Sequence, residues 1–188
     1  MKNLQSDLSD YVMVDNVFSP EECQLFLHKM NDCVWSSHRW YKNSKSTWHD
    51  LKDFGVTYNV EVQNMMKENI MKFARKYFKE HRDEEDYKNP GSGQFSGIRF
   101  NKYEKDEGIM PHVDHIHSLF DGKKRGIPVI SFVGVFNDDY EGGEFMLCGQ
   151  QVELKQGDCV IFPSVFLYPH WVNKVTEGTR HSWVMWGW

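Results

Sequence analysis

His112, Asp114, His170 and Arg180 are the residues of this chain whose types and spacing could do chemistry. The first two lie in MPHVDHIH, the third in YPHWV and the fourth in GTRHSWVMW. Side chains on a strand repeat every second residue, so an extended segment points His112 and Asp114 to one face. Two imidazoles and one carboxylate are the donor set of a facial non-haem Fe(II) centre, which leaves about three positions of an octahedral shell open. Those positions can take a bidentate 2-oxo acid and O2. Arg180 follows His170 by ten residues and offers a planar fork suited to a carboxylate. Ser182 shares its face on a strand, and the two together could hold the far carboxylate of 2-oxoglutarate. The absence of thiolates among these donors argues against a structural zinc site.

Elements must position these side chains, and the chain divides into a helical first half and a strand-rich second half. YVMVDNVF alternates like a short strand. Ser19-Pro20-Glu21-Glu22 then reads as a capping box with proline at the first helical position. Cys23, Phe26, Leu27 and Met30 follow as an amphipathic stripe. A second helix is expected from about Glu61 to His81, buried along Val62, Met66, Ile70, Phe73 and Tyr77. HRDEEDYKN breaks the period and Pro90-Gly91-Ser92-Gly93 is a loop. Candidate strands then lie at roughly 97–103, 110–115, 128–137, 143–148, 151–154, 158–162, 169–174 and 181–187. Gly142-Gly143, Gly149-Gln150 and Gly157-Asp158 supply turns between them. About eight short strands punctuated by glycine suggest a jelly roll, a double-stranded β-helix, with the helices packed on one outer sheet face. The expected organisation is one domain over 1–188, with 1–93 as a strand and helix support and 94–188 as the jelly-roll core.

IRFNKYEKDEGIMPHVDHI, VISFVGVFNDDYEGGEFML, LKQGDCVIFPSVFLYPHWV and EGTRHSWVMWGW carry a resemblance. In that order and spacing, the stretch from about Gly97 to Trp188 resembles the Fe(II)/2-oxoglutarate-dependent dioxygenases of the prolyl-4-hydroxylase-like superfamily. YVMVDNVFSPEECQLFL resembles that family's opening strand and helix. The resemblance implies Fe(II) on His112, Asp114 and His170, and 2-oxoglutarate with its far carboxylate on Arg180. It also implies O2 as cosubstrate, release of succinate and CO2, and hydroxylation of an unactivated C–H bond, with ascorbate keeping the iron reduced. Tyr103, nine residues before His112, matches a tyrosine that donates to the same carboxylate in similar prolyl hydroxylases. A phenol can do so while packing its ring, and a plain core tyrosine is the competing reading. The collagen prolyl hydroxylases carry Lys where this chain has Arg180, which sets it nearer the oxygen-sensing and bacterial branches. A peptidyl proline is the leading substrate by family, with another side chain, a free amino acid or a small metabolite open.

Composition agrees with an enzyme of this kind. A 188-residue chain can bury roughly 70% of its extended surface and needs no covalent staples. With 40% hydrophobic and 26% charged residues it reads as an ordinary globular chain. A net charge of −5 gives no encouragement to nucleic-acid binding. Cys23, Cys33, Cys148 and Cys159 form no CxxC and suggest reduced thiols in the cytoplasm. MKNLQSDLSD lacks a signal-peptide core, and no apolar run approaches the ~18 residues of a membrane span.

Other residues have readings of their own. His115 and His117 face away from His112 and Asp114 if the strand continues. The His-x-Asp-His string is similar to part of a metallo-β-lactamase zinc motif, but Met110 stands where a further histidine is needed. A zinc hydrolase and a jelly-roll ligand-binding module, such as a carbohydrate binder, are the rivals to the oxygenase. Trp35, Trp40 and Trp48 sit in a polar stretch that could cover substrate or anchor a loop on the core. DHIHSLFDGKKRGIP is a second candidate lid.

Overall fold

The computed structural model describes residues 7–38, 54–81, 94–114 and 128–188. Its elements follow local chemistry first. After a 3-10 turn at Leu8–Tyr11 and strand β1 (Met13–Asn16), helix α1 (Pro20–Met30) opens on the expected capping box. The Ser19 hydroxyl accepts from the Glu22 N–H at 3.2 Å, and the Glu22 carboxylate accepts from the Ser19 N–H at 2.8 Å. Strands β2 (Ser36–Ser37) and β3 (Gly55–Thr57) precede helix α2 (Val60–Glu80), whose first turn is capped by Asn59. Ten strands follow: β4 (Arg99–Tyr103), β5 (Ile109–His112), β6 (Ile130–Val135), β7 (Glu141–Gly142), β8 (Phe145–Leu147), β9 (Gln150–Val152), β10 (Asp158–Pro163), β11 (His170–Val172), β12 (Val175–Glu177) and β13 (Arg180–Gly187).

These strands make a large antiparallel sheet ordered β1-β10-β6-β13-β4-β3-β2 and a small one ordered β5-β11-β8-β9, with β12 and β7 as a separate pair. The architecture is the jelly roll expected from the strand pattern. The short β2, β3, β7 and β12 had no place in that expectation, because two or three residues are too few to show a period. Three strands that precede residue 94 pair into the large sheet, so the first half contributes more than helices.

Alternation along the large sheet decides what lies on each side of it. Phe100 of β4, Phe132 of β6, Ile161 of β10, and Trp183 and Met185 of β13 are buried with the apolar stripes of α1 and α2. Both helices therefore cover one face, as their stripes require. The opposite face presents Tyr103, Val133, Val160 and Phe162 to Phe145, Leu147 and Val172 of the small sheet. Gly134 permits a close approach: a Cβ there would lie 2.3 Å from Cε2 of Trp183, so only glycine lets this indole lie on β6. Arg99, Asn101 and Tyr103 of β4 and Arg180, Ser182, Val184 and Trp186 of β13 line a cavity between the sheets.

Candidate active site

His112 and His170 occupy paired positions on adjacent strands of the small sheet, and their rings lie 4.3 Å apart between centroids. β5 is an edge strand, which tolerates Pro111 within it. It ends at His112, short of the 110–115 span expected from sequence. Asp114 therefore does not reach the site by strand alternation. It lies in the bend that follows, where the Ser131 hydroxyl donates to its Oδ2 at 2.6 Å. Ser131 is held in turn by Ser164, 2.7 Å between hydroxyl oxygens.

The three side chains converge. Asp114 Oδ1 is 3.6 Å from His112 Nε2, and Oδ2 is 3.5 Å from His170 Nε2. All three candidate ligand atoms lie within 4.8 Å of one another. Nδ1 of His112 sits 2.8 Å from the Met110 carbonyl, and Nδ1 of His170 sits 3.1 Å from the Tyr168 carbonyl. A carbonyl only accepts, so each Nδ1 carries the hydrogen and each Nε2 lone pair is left for a metal. Burial, reinforced by His170, holds His112 down to about 4, so its ring is neutral at neutral pH. Burial alone would raise the Asp114 carboxyl, but the two imidazoles, Ser131 and Trp186 outweigh it and hold it below its usual range. A neutral His112 imidazole beside an ionised Asp114 carboxylate suits a divalent cation, which binds deprotonated ligands.

Arg180 opens β13 and is 1% exposed. Its Nε, Nη1 and Nη2 have no hydrogen-bond partner among the described residues. A buried guanidinium left this way costs several kcal/mol unless an anion meets it. Tyr103 lies directly across the ladder, its ring centroid 5.3 Å from the guanidinium carbon. Burial raises the Tyr103 phenol, which keeps it a donor. Ser182 is buried two residues further along the same face. Arg180, Tyr103 and Ser182 thus bring donors to the cavity that the His-Asp-His cluster also lines, a set that fits the far carboxylate of 2-oxoglutarate as the cluster fits Fe(II).

Sequence reading missed Arg99, Asn101, Ser131 and Trp186, all at or beside this cavity. Arg99 and Asn101 share strand parity with Tyr103, and Ser131 is a polar residue inside an apolar run; those were the available signals. Trp35 packs against the helix-side core and its ring faces His181. Trp40, Trp48, His115, His117 and the two lid segments lie outside the described residues, with Trp35 to His38, Asp114 and Pro128 excepted. Among the described residues no helix is long and apolar enough to cross a membrane, and the four cysteines are free.

Residues 98–188 match the sequence family described as the 2OG-Fe(II) oxygenase superfamily. A PKHD-type hydroxylase of Delftia acidovorans is 37% identical over 97 residues, covering 47% of this chain and 41% of that protein. The match thus spans less than half of that relative's length. Among solved structures, the viral collagen prolyl hydroxylase of Paramecium Bursaria Chlorella virus-1, in its 2OG complex, superposes with a TM-score of 0.64 at 13% identity, covering 94% of each chain. A Trichoplax adhaerens prolyl hydroxylase, in complex with a hypoxia inducible factor oxygen degradation domain peptide fragment, superposes with a TM-score of 0.67 at 14% identity, covering 95% of this chain and 83% of that one. At those identities the likeness is one of fold.

Proposed function

From the match of residues 98–188 to the 2OG-Fe(II) oxygenase superfamily, we propose that the chain is a hydroxylase dependent on Fe(II), 2-oxoglutarate and O2. One observation carries the reading. The His112, Asp114 and His170 cluster shares its cavity with a buried, unpartnered Arg180 guanidinium. A metal site alone would not need that cation, and a carbohydrate platform would need neither.

Bound iron and 2-oxoglutarate supply the oxidation of an unactivated C–H bond by O2, with succinate and CO2 as co-products. The chain's part is ligation, orientation and exclusion of water. His112, Asp114 and His170 would hold the metal on one face, leaving the opposite positions open. Arg180 would fix the far carboxylate by charge-assisted bonds, with Ser182 and Tyr103 as further donors. Val133, Phe145 and Val172 give the cavity apolar walls, which strengthen those charge interactions.

The finer reading is peptidyl prolyl 4-hydroxylation in the cytoplasm. The prolyl hydroxylase folds support the substrate class, and the free thiols suit the compartment. The test incubates protein with Fe(II), 2-oxoglutarate, ascorbate and proline-containing peptides, and reads succinate and the gain of one oxygen atom by mass. Iron-dependent succinate is expected, with one peptide gaining oxygen at proline. Succinate that never exceeds the metal-free control would overturn the oxygenase, and oxygen appearing only elsewhere would overturn the prolyl assignment.

A further inference from the structure

We propose that Arg99 binds a carboxylate of the substrate, so that this enzyme acts on molecules carrying an acid group close to the C–H bond it hydroxylates. The inference rests on the oxygenase reading above and extends it to substrate class.

Arg99 projects into the same cavity as the His-Asp-His cluster. It stands at the other end of β4 from Tyr103, four residues away, or about 13 Å along an extended strand. Two contacts aim it. Its Nε donates to Asn101 Oδ1 at 3.0 Å, and its Nη1 lies 3.2 Å from His38 Nε2. Trp186 supports the guanidinium from below, ring centroid 5.2 Å from the central carbon. Trp186 and Asp114 both line the cavity, and Trp186 helps hold the Asp114 carboxyl below its usual range. Arg99 and Trp186 thus share one cavity with all three candidate metal ligands.

Among the described residues no carboxylate meets Arg99 at ion-pair distance. Asn101 is uncharged, and burial followed by Arg99 itself holds His38 down to about 4, so that ring accepts as a neutral group. The outer Nη2 edge has no protein partner among the described residues.

Charge balance then identifies what is missing. Among the described residues lining the cavity, only Arg99, Asp114 and Arg180 are charged. A bound Fe(II) dication and a 2-oxoglutarate dianion cancel each other, so the loaded cavity keeps one surplus positive charge. Buried charge of this kind is tolerated when it is paired. Arg180, more buried and without a hydrogen-bond partner among the described residues, takes the cosubstrate. Arg99 is left for a monoanionic group of the substrate, and its planar edge suits a carboxylate.

The experiment titrates anaerobic protein, loaded with Fe(II) and 2-oxoglutarate, with matched acid and amide pairs and reads heat of binding. One arm uses N-acetylproline against N-acetylprolinamide. The other uses amidated proline peptides with Asp or Glu against Asn or Gln beside the proline. The arm that binds tells a free acid from an acidic peptide. Wild type is expected to bind an acid at least ~10-fold more tightly than its amide, as loss of a buried charge partner implies. Arg99→Gln should lose that preference and Arg99→Lys should keep part of it, since the cation survives but the fork does not. The affinity for 2-oxoglutarate should fall in Arg180→Gln and not in Arg99→Gln. An acid that binds wild type no better than its amide, in both arms, overturns the inference without recourse to any variant. So does an acid preference that survives in folded Arg99→Gln, or a loss of 2-oxoglutarate binding in Arg99→Gln alone. Failure of wild type to bind Fe(II) and 2-oxoglutarate at all is a separate result, which sinks the oxygenase reading first.

Discussion

Two histidines and an aspartate become a site only because each is prevented from doing anything else. A backbone carbonyl occupies Nδ1 of both His112 and His170, and Ser131 fixes the carboxylate of Asp114. Removing one ligand should therefore cost metal rather than fold. His112→Ala and His170→Ala are each expected to lose stoichiometric Fe(II) while retaining the wild-type circular dichroism spectrum. Metal analysis of anaerobically loaded protein checks this, and full iron occupancy in the double variant would remove both residues from the site. Arg180 makes a sharper case, because its guanidinium is buried with no protein partner among the described residues. Arg180→Ala should raise the apparent KM for 2-oxoglutarate by about two orders of magnitude, since losing a buried charge partner costs roughly 2–5 kcal/mol. Arg180→Lys should recover only part of that. Succinate formation titrated against 2-oxoglutarate measures both, and an unchanged KM in Arg180→Ala assigns the cosubstrate elsewhere.

Strands β6 and β13 join the two halves of the cavity. β6 carries Ser131, which holds Asp114, and β13 carries Arg180, Ser182 and Trp186. Their contact on the helix side depends on Gly134, where an added Cβ would meet the Trp183 ring at 2.3 Å. The ring is fully buried and has nowhere to move. Gly134→Ala is thus an overpacking change, expected to cost about 1–3 kcal/mol. That is a drop of several degrees in Tm for a chain of this size, at ~2–4 °C per kcal/mol. Thermal melts of wild type and variant read it directly, and equal melting temperatures would mean that the indole relocates freely. The helix face of this element was legible in sequence, since Trp183 and Met185 alternate with Ser182 and Val184. The clash was not, because no local pattern says which residue lies under an indole on the next strand.

Across the whole molecule, burial of neutral imidazoles couples stability to pH. His38, His112 and His181 are each lowered from 6.5 to about 4, in every case chiefly by burial. A histidine whose folded value is depressed takes up a proton on unfolding, so the folded state loses ground as pH falls through the window between those values. Metal-free protein is expected to show a falling urea midpoint from pH 6.5 down toward 4, with net proton uptake on unfolding. A midpoint that stays flat across that window would contradict the burial of these rings. Added Fe(II) should oppose the loss, because a metal binds only the deprotonated ligands.

The sequence by itself determined the donor types, their order along the chain, the capping box of α1 and the apolar stripes of both helices. All of these follow from periods and contacts within a few residues, which is why they can be read without a fold. Parity also grouped Arg180 with Ser182 on one face. Only the tertiary structure decided the rest. Strand parity brought His112 and Asp114 together for a reason that does not hold, since β5 ends at His112 and Ser131, from a different strand, holds the carboxylate. The pairing of His112 with His170 is a matter of sheet register. The standing of Arg99 as an unneutralised cation was hidden for the same reason. Its neighbours His38 and Trp186 come from distant parts of the chain. Whether a charge is paired depends on what the fold brings within a few ångströms of it, and local periodicity carries no record of that distance.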